Sequence, residues 1–237
     1  MQFELTKLKQ AMMAQVDRNN LAANNLANIE TTGFKRDQLF FQTLSDELDV
    51  SKSMVHSTDM NQGHVEETGN PFDVALSGKG FFMVEMENGV AFTRDGSFHV
   101  DDEGILRSKS GMPVMGEGGW INVESETGAP RKVSITERGE VYADNELIDT
   151  LSISDFENPA DLKKIGGNLF KAGDDAREFI VENPTVKQGF LEKSNVNPAQ
   201  EMIELIEIQR QFESIQRMVR SLDDAYKEAV QQVGRYT

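Results

Sequence analysis

The sequence contains no cysteine, a single tryptophan and three histidines among its 237 residues. The absence of cysteine excludes disulfides, thiolate catalysis and any site in which cysteine holds zinc or an iron–sulfur cluster. No apolar run reaches the length of about 18 residues that a membrane-spanning helix needs, so we expect no membrane insertion. Lys7 and Lys9 interrupt the start of the chain, and a cleaved secretory signal peptide is therefore not expected.

Basic side chains are also few. The chain has 24 Lys and Arg against 40 Asp and Glu, which gives a formal net charge of −16. Such a balance disfavours nucleic acid and anionic membranes as partners. A hydrophobic content of 38% and a charged content of 27% are sufficient for folding, and the composition predicts a soluble acidic protein of one or two domains.

Glycine and proline are absent from residues 1–32, and after Pro198 only Gly234 remains. Both residue types disfavour helix interiors, so the two ends are predicted to be helical. Residues 71–140 hold 11 of the 19 glycines, which indicates turns and strands. The predicted fold class is therefore α+β, with long N- and C-terminal helices forming a coiled-coil-like domain and a central antiparallel β-rich domain. The predicted bounds are 1–36 for the first helix, 37–70 for an extended connection, 71–190 for the acidic β-rich domain and 191–237 for the second helix.

The C-terminal end carries the strongest periodic pattern. Its apolar residues recur at alternating steps of three and four, as in the a and d positions of a heptad, over about 43 Å of helix. Asn197 is a candidate N-cap, with Pro198 at the first helical position. One reading is a long helix packed on its own domain, and the other is a seam that another helix covers. The predicted packing residues are Leu205, Ile208, Phe212, Ile215, Val219, Leu222, Tyr226 and Val233.

The N-terminal end has a similar design with polar interruptions. Gln15 and Asn19 fall on its seam, and five asparagines occur within residues 19–28. Asparagine side chains compete for backbone hydrogen bonds and weaken an isolated helix. We interpret the cluster either as a poorly formed surface helix or as a helix ordered when other chains supply partners for those amides. The predicted packing residues here are Leu5, Leu8, Met12 and Leu26.

The centre reads as short strands separated by turns. Asn88-Gly89 lies between two apolar runs and predicts a β-hairpin, because both residues accept positive φ.

Sequence patterns that would indicate catalysis or ligand binding are weak. His56, Asp59, His64 and Glu66 match no common metal-ligand spacing, and the glycines at 78–80 and 116–119 lack the rest of a phosphate loop. The sequence predicts no enzyme, no metal and no cofactor.

Three ordered motifs resemble the flagellar rod and hook protein family. The N-terminal motif includes Asn24, Asn25, Leu26, Ala27 and Asn28, followed by Thr32, Gly33 and Phe34. The C-terminal motif, ahead of the last helix, includes Ser194, Asn195, Val196 and Asn197. A central block runs from Asn70 through Phe98.

The resemblance implies a structural subunit of the bacterial flagellar basal body that assembles through its terminal helices into the torque-transmitting rod. Residues 114–123 are similar to the matching stretch of the proximal rod subunit that adjoins the distal rod, while the distal rod protein is the alternative within the family. The implied partners are copies of itself, other proximal and distal rod proteins and the flagellar type III export apparatus, and the implied place is the periplasmic rod. An alternative of another class is an oligomeric acidic β-domain that binds a partner or a glycan.

Overall fold

The computed structural model describes residues 2–46, 49–123 and 132–233. It is an α+β structure with one long helix near each end and a β-rich region between them. The chain forms two compact units. The helical unit comprises the chain up to Ala27, Asp37–Ser57 and the chain from Asn197 onward, and the β-rich unit comprises Asn28–Arg36 and Thr58–Val196.

The helical unit contains helix α1 (Gln2–Ala27) and helix α2 (Pro198–Val233). It also contains strands β1 (Asp37–Asp46) and β2 (Asp49–Thr58), which form a two-stranded sheet. The sequence interpretation of residues 37–70 as an extended connection did not anticipate this pairing. The N-cap prediction for α2 is confirmed, since Asn197 Oδ1 accepts hydrogen bonds from the backbone N–H groups of Ala199 at 3.1 Å and Gln200 at 3.3 Å.

The apolar stripe of α2 forms its less exposed side. Ile208 is buried at 2% exposure, and the described stripe residues on either side of it are half-buried. Ala22 of α1 is also buried at 2%. The side chains of Leu5 and Val233 lie outside the described part of the chain. The half-buried stripe residues are Leu205, Phe212, Ile215, Val219, Leu222 and Tyr226.

The β-rich unit is built from short strands joined by tight turns, and all of its described ladders are antiparallel. The strands are β3 (Val65–Glu67), β4 (Val74–Leu76), β5 (Phe81–Met86), β6 (Gly89–Thr93), β7 (Phe98–Val100), β8 (Leu106–Ser108), β9 (Met115–Gly116), β10 (Gly119–Trp120), β11 (Val133–Ile135), β12 (Glu140–Ala143), β13 (Glu146–Thr150), β14 (Ile153–Phe156), β15 (Leu162–Gly166), β16 (Leu169–Ala172), β17 (Glu178–Ile180), β18 (Val186–Gln188) and β19 (Phe190–Glu192).

The largest sheet has six strands in the order β15-β16-β6-β5-β14-β17. Two ladders pair the first strands of the unit with its last ones: β18 pairs with β4, and β19 pairs with β3. The predicted hairpin is confirmed: Met86 of β5 pairs with Gly89 of β6, whose φ is +114°. The unit therefore closes by bringing its late strands against its early ones.

Two apolar clusters fill the β-rich unit. Phe82, Val84 and Leu106 are fully buried in the larger cluster, and Phe82 meets Phe98 edge-on with ring centroids 5.2 Å apart. The smaller cluster is aromatic and lies around Phe170. Edge-to-face ring pairs add to the free energy that area burial supplies, by about 0.5–1.5 kcal/mol each. The core thus uses the alternating apolar residues of the short strands.

Candidate subunit interface and its anchoring residues

The two terminal helices meet through polar as well as apolar side chains. Gln15, which the sequence placed on the seam of α1, donates from Nε2 to Oε1 of Gln211 on α2 over 2.8 Å. Arg18 forms an ion pair with Glu204, with 3.2 Å between its guanidinium nitrogen and the carboxylate oxygen. Polar pairs on a helix seam fix register and partner choice more than they add stability. These contacts set how α1 lies along α2.

Part of the apolar surface of the helical unit stays uncovered in the single chain. Met13 and Val16 of α1 are exposed, and so are Met202, Ile203 and Ile206 in the first turns of α2. An open groove lies beside them, lined by Gln15, Val16, Asn19, Ile208, Gln209, Phe212 and Glu213. Exposed apolar side chains that cluster on one element mark interaction surfaces more often than isolated ones do.

Asn25 ties three parts of the helical unit together. Its Nδ2 donates to the backbone oxygen of Asp37 over 2.9 Å, and its Oδ1 accepts from the backbone N–H of Asp37, also over 2.9 Å. The same Nδ2 lies 3.2 Å from Oε2 of Glu201, a fully buried carboxylate in the first turn of α2. An acidic group is favoured there by the helix dipole. The amide therefore completes the start of β1 and fixes it to both helices.

The structure shows where one asparagine of the N-terminal cluster, Asn25, finds its hydrogen-bond partners. Asn25 is 1% exposed and finds its partners in its own chain rather than in a neighbouring one. Asn24 is exposed, and Asn28 is half-buried and accepts a hydrogen bond from the Thr31 hydroxyl at 3.1 Å. The contact with Asp37 could not be predicted from the sequence, because an amide side chain carries no sign of its partner.

A buried charge cluster anchors both ends of the β-rich unit. Lys35 Nζ lies 2.6 Å from Oε1 of Glu192, and Arg94 NH1 lies 3.2 Å from Oε2 of the same carboxylate. The side chains of Lys35 and Glu192 are 0% and 1% exposed. Lys35 also donates to the backbone oxygen of Asn61 over 2.7 Å, and Arg94 donates to that of Gly78 over 2.8 Å. One carboxylate thus serves two buried cations from distant parts of the chain.

Burial dominates the electrostatics of these two cations. Desolvation lowers the pKa of Lys35 below its ordinary value of 10.5, although Glu192 opposes that change. Desolvation likewise lowers the pKa of Arg94, which also stacks over the ring of Phe81 at 5.2 Å. Removing charge from water is costly unless partners replace the lost hydration. The cluster therefore depends on the Glu192 carboxylate, which is the partner of both cations.

Gly33 makes the close approach that brings the N-terminal motif to the C-terminal one. Its N–H donates to the backbone oxygen of Glu192 over 2.8 Å, and its φ is +66°. A Cβ at this position would lie 2.4 Å from the backbone nitrogen of Asp95. Next to it, the Thr32 hydroxyl donates to Asp95 Oδ1 over 2.7 Å. Only glycine fits both this conformation and this space.

Asn195 of the C-terminal motif joins the same assembly of backbone segments. Its Nδ2 donates to the backbone oxygens of Asp59 at 2.8 Å and Asn61 at 3.0 Å, and its Oδ1 accepts from the Arg36 N–H at 2.7 Å. Phe34 is buried under the ammonium of Lys164, which lies 3.9 Å from its ring centroid. Among the remaining motif residues, the Ser194 hydroxyl oxygen accepts a hydrogen bond from the Val196 N–H over 3.3 Å. Leu26 and Ser194 are half-buried, Val196 is buried and Ala27 is exposed.

Sequence reasoning did not select the charged members of these networks. Lys35, Arg94, Glu192 and Glu201 are all buried, yet none of them was named from the sequence as a site residue. The sequence feature that could have indicated their burial is a charged residue next to an apolar one, as in Phe34-Lys35 or Leu191-Glu192. The signal is weak because most such charges turn toward water.

The described residues show packing surfaces rather than catalytic chemistry. Within residues 2–46, 49–123 and 132–233, no group of three or more His, Asp or Glu side chains could hold a metal ion. In the same ranges, neither helix is long and apolar enough to cross a bilayer. Two terminal helices with an open apolar face are typical of a structural protein that packs against other proteins.

Comparison with known proteins gives the family. Three family models match in chain order: "Flagella basal body rod protein" over residues 8–35, "Flagellar hook protein FlgE/F/G D1 domain" over 75–143 and "Flagellar basal body rod FlgEFG protein C-terminal" over 187–232. The chain is 32% identical to the flagellar basal-body rod protein FlgF of Caulobacter vibrioides over 227 residues, which cover 91% of each protein.

Two further relatives agree. The FlgF protein of Mesorhizobium japonicum is 30% identical over 241 residues, covering 99% of each chain. The FlgG protein of Buchnera aphidicola from Acyrthosiphon pisum is 30% identical over 252 residues, covering 91% of this chain and 94% of the relative. The chain belongs to the family of flagellar basal-body rod proteins, which are structural proteins and not enzymes.

Proposed function

We propose that this chain polymerises through its terminal helices, in coiled-coil-like packing, to form part of the torque-transmitting shaft of the flagellar basal body. The observation that carries the proposal is the uncovered apolar surface of the helical unit. Met202, Ile203 and Ile206 are each at least half exposed at the start of α2, beside a groove that reaches Phe212. Burial of apolar area contributes about 25 cal/mol per Å², so neighbouring subunits gain most by covering this surface.

The packing residues named from the sequence fit this role. The stripe from Leu205 to Tyr226 is only half-buried apart from Ile208, so each residue keeps surface for a second contact. On α1, Leu8, Met12 and Leu26 are half-buried in the same way. In this proposal the axial domain consists of the two ends, 1–36 and 191–237, with the acidic domain of residues 71–190 facing outward.

Within the family, we infer a proximal rod subunit adjoining the distal rod. The likeness of residues 114–123 to that subunit supports this choice. The distal rod protein is the alternative within the family. The proposal also includes export by the flagellar type III apparatus without a cleaved signal peptide, assembly in the periplasm with proximal and distal rod proteins, and no membrane insertion.

Electron microscopy of basal bodies purified from cells that make a labelled form of this protein tests the assignment. Label in the rod below its distal segment is the expected result. Label confined to the distal segment would favour the alternative subunit, and basal bodies without label would contradict the rod function.

A different class of function is an oligomeric acidic β-domain that binds a partner or a glycan. Gel filtration combined with circular dichroism of the purified chain separates the two. The rod function predicts a monomer whose helices are under-formed in isolation, because their surfaces await neighbouring subunits. A stable small oligomer with full helicity would support the binding module instead.

A further inference from the structure

The single tryptophan of the chain lies on the surface of the β-rich unit. Trp120 is 53% exposed at the end of the β9–β10 hairpin, where it pairs with Met115. Its indole Nε1 donates to Oε2 of Glu85, which holds the ring in one orientation. Tryptophan offers a large rigid contact area and is enriched among the hot-spot residues of protein interfaces. A half-exposed ring that is held in one orientation is suited to such a contact.

The ring borders a groove with an acidic rim. Backbone contacts fix its floor, because the Glu85 N–H donates to the Pro113 oxygen over 2.9 Å and Val84 bridges Val114. The β5–β6 hairpin brings a second carboxylate, Glu87, to the same groove. The full lining is Glu85, Met86, Glu87, Arg107, Ser110, Gly111, Met112, Pro113 and Trp120.

The one cation in this lining is already engaged. Arg107 Nε donates to Asp101, NH1 donates to the Gly111 oxygen over 3.0 Å, and NH2 lies 3.8 Å from Glu103. Its charge is therefore balanced by carboxylates of its own strand and turn. Glu85 and Glu87 remain as the net charge of the groove, so its field attracts cations and repels phosphates and acidic surfaces.

We propose that this groove docks an arginine side chain from the surface of a different, basic protein. A guanidinium stacks on the face of an indole through cation–π attraction and can at the same time donate to carboxylates at the ring edge. Lysine presents a compact, strongly hydrated ammonium that satisfies only the second interaction. The chain uses the same geometry internally, where the Arg94 guanidinium lies over the Phe81 ring. A second copy of this chain is the poorer occupant, since each copy carries a net charge of −16.

Binding of short peptides to the full chain tests the proposal. Acetylated and amidated tetra-arginine, tetra-lysine and tetra-glutamate are titrated into the protein at moderate salt and followed by calorimetry. With the wild type, the emission of the only tryptophan gives a second readout. We expect the arginine peptide to change that emission and to bind several-fold more tightly than the lysine peptide, with no binding of the glutamate peptide.

Four variants separate the groove from the general acidity of the protein. Glu87→Gln removes a groove carboxylate, and Asp175→Asn removes the same charge from an exposed turn outside the lining. Trp120→Leu removes the ring without changing charge, and Trp120→Phe keeps a smaller aromatic face. The expected loss of affinity is roughly tenfold for Glu87→Gln and for Trp120→Leu, small for Asp175→Asn and partial for Trp120→Phe, consistent with cation–π and charged hydrogen-bond magnitudes.

Equal losses for Glu87→Gln and Asp175→Asn, or unchanged arginine binding by Trp120→Leu, would overturn the proposal, because binding would then follow net charge alone. The far-ultraviolet circular dichroism of each variant must match the wild type. The measurement needs no assembled rod, so its failure would leave the proposed rod function untouched.

Discussion

Lys35 and Glu192 stand 157 positions apart in sequence, and their charged atoms lie 2.6 Å apart in the interior of the β-rich unit. The contact joins the N-terminal motif segment to the last strand before α2. Arg94, from the middle of the chain, shares the same carboxylate. One buried carboxylate thus holds together three segments of the β-rich unit that are far apart in the sequence.

Replacing that anion tests the anchoring role. Glu192→Gln leaves two buried cations without a charged partner, and we expect the free energy of unfolding to fall by about 3–5 kcal/mol. Denaturant titration, monitored by circular dichroism, measures this change in the free energy of unfolding. Glu66→Gln is the matched control, because it breaks an ion pair with Lys193 at 3.3 Å that is partly open to water and worth no more than about 1 kcal/mol. Similar losses for the two variants would contradict a special role for the buried carboxylate.

Asn25 offers a test in the helical unit. Asn25→Ala removes both hydrogen bonds to the Asp37 backbone and leaves buried groups unpaired, at about 1–3 kcal/mol each. Asn20→Ala, at an exposed position of the same helix, is expected to raise helix stability by a few tenths of a kcal/mol. Monomer helicity by circular dichroism, paired with a swimming assay, checks both. Full motility and unchanged unfolding in Asn25→Ala would show that the amide is dispensable.

The α2 stripe can be tested at its centre. Phe212 and Val219 are half-buried, seven residues apart, on the face that we propose for subunit packing. Replacing both with Asp places charge in an apolar seam, which costs several kcal/mol in each interface. We expect normal secretion of the variant but arrested rod growth, seen as missing rods in purified basal bodies. The matched control is Ser214→Asp with Ser221→Asp, two exposed positions that are also seven residues apart, and it should leave the rods intact. Intact rods in the Phe212 and Val219 variant would argue against the seam.

Truncation separates the two units. Deleting residues 199–237 removes α2 from the helical unit and leaves every segment of the β-rich unit in the chain. We therefore expect a folded β-rich unit, shown by a cooperative thermal transition, in a protein that does not enter the rod. Cells that swim with only the truncated protein would refute assembly through the helices.

Acid should weaken a turn of the β-rich unit. The hydrogen bond from Arg107 holds the pKa of Asp101 below its ordinary value of 3.8, and the Ile105 and Glu103 N–H groups act in the same direction. The folded state therefore binds fewer protons than the unfolded state in this range, so the stabilisation is complete above about pH 3.8 and is lost as pH falls through the lower folded pKa. Unfolding measured against pH should show a shallower acid decline in Asp101→Asn. Asp102→Asn, at the exposed neighbouring position, should keep the wild-type slope.

The sequence predicted the elements whose cause is local. Both helices follow from uninterrupted periodicity without Gly or Pro, and the Asn88-Gly89 hairpin follows from the need for positive φ. Residues 37–46 and 49–58 pair as strands although Ser51, Ser53 and Ser57 give the region a polar character. Strand formation depends on cross-strand and tertiary neighbours, which a single sequence does not reveal.

The anchoring residues were harder to predict for the same reason. The N- and C-terminal motifs identified Gly33 and Asn195, whose backbone contacts are specific. Lys35 and Glu192 look like surface charges until the chain brings them together, since no local pattern distinguishes a paired buried charge from a solvated one. The sequence left open whether other chains supply the partners of the asparagine cluster, because nothing in it shows that the Asn25 side chain pairs with the backbone N–H and oxygen of Asp37.

The pairing of β3 with β19 and of β4 with β18 has a consequence for the rate of folding. Contacts between residues so distant in sequence require closure of a long loop before they return any stabilisation, and proteins rich in such contacts fold slowly. Helices need only neighbouring residues and form in about a microsecond or less. During synthesis, which starts at the N-terminus, the local hairpins of the β-rich unit can form early, but the ladders that close the unit must wait until Glu192 has been added.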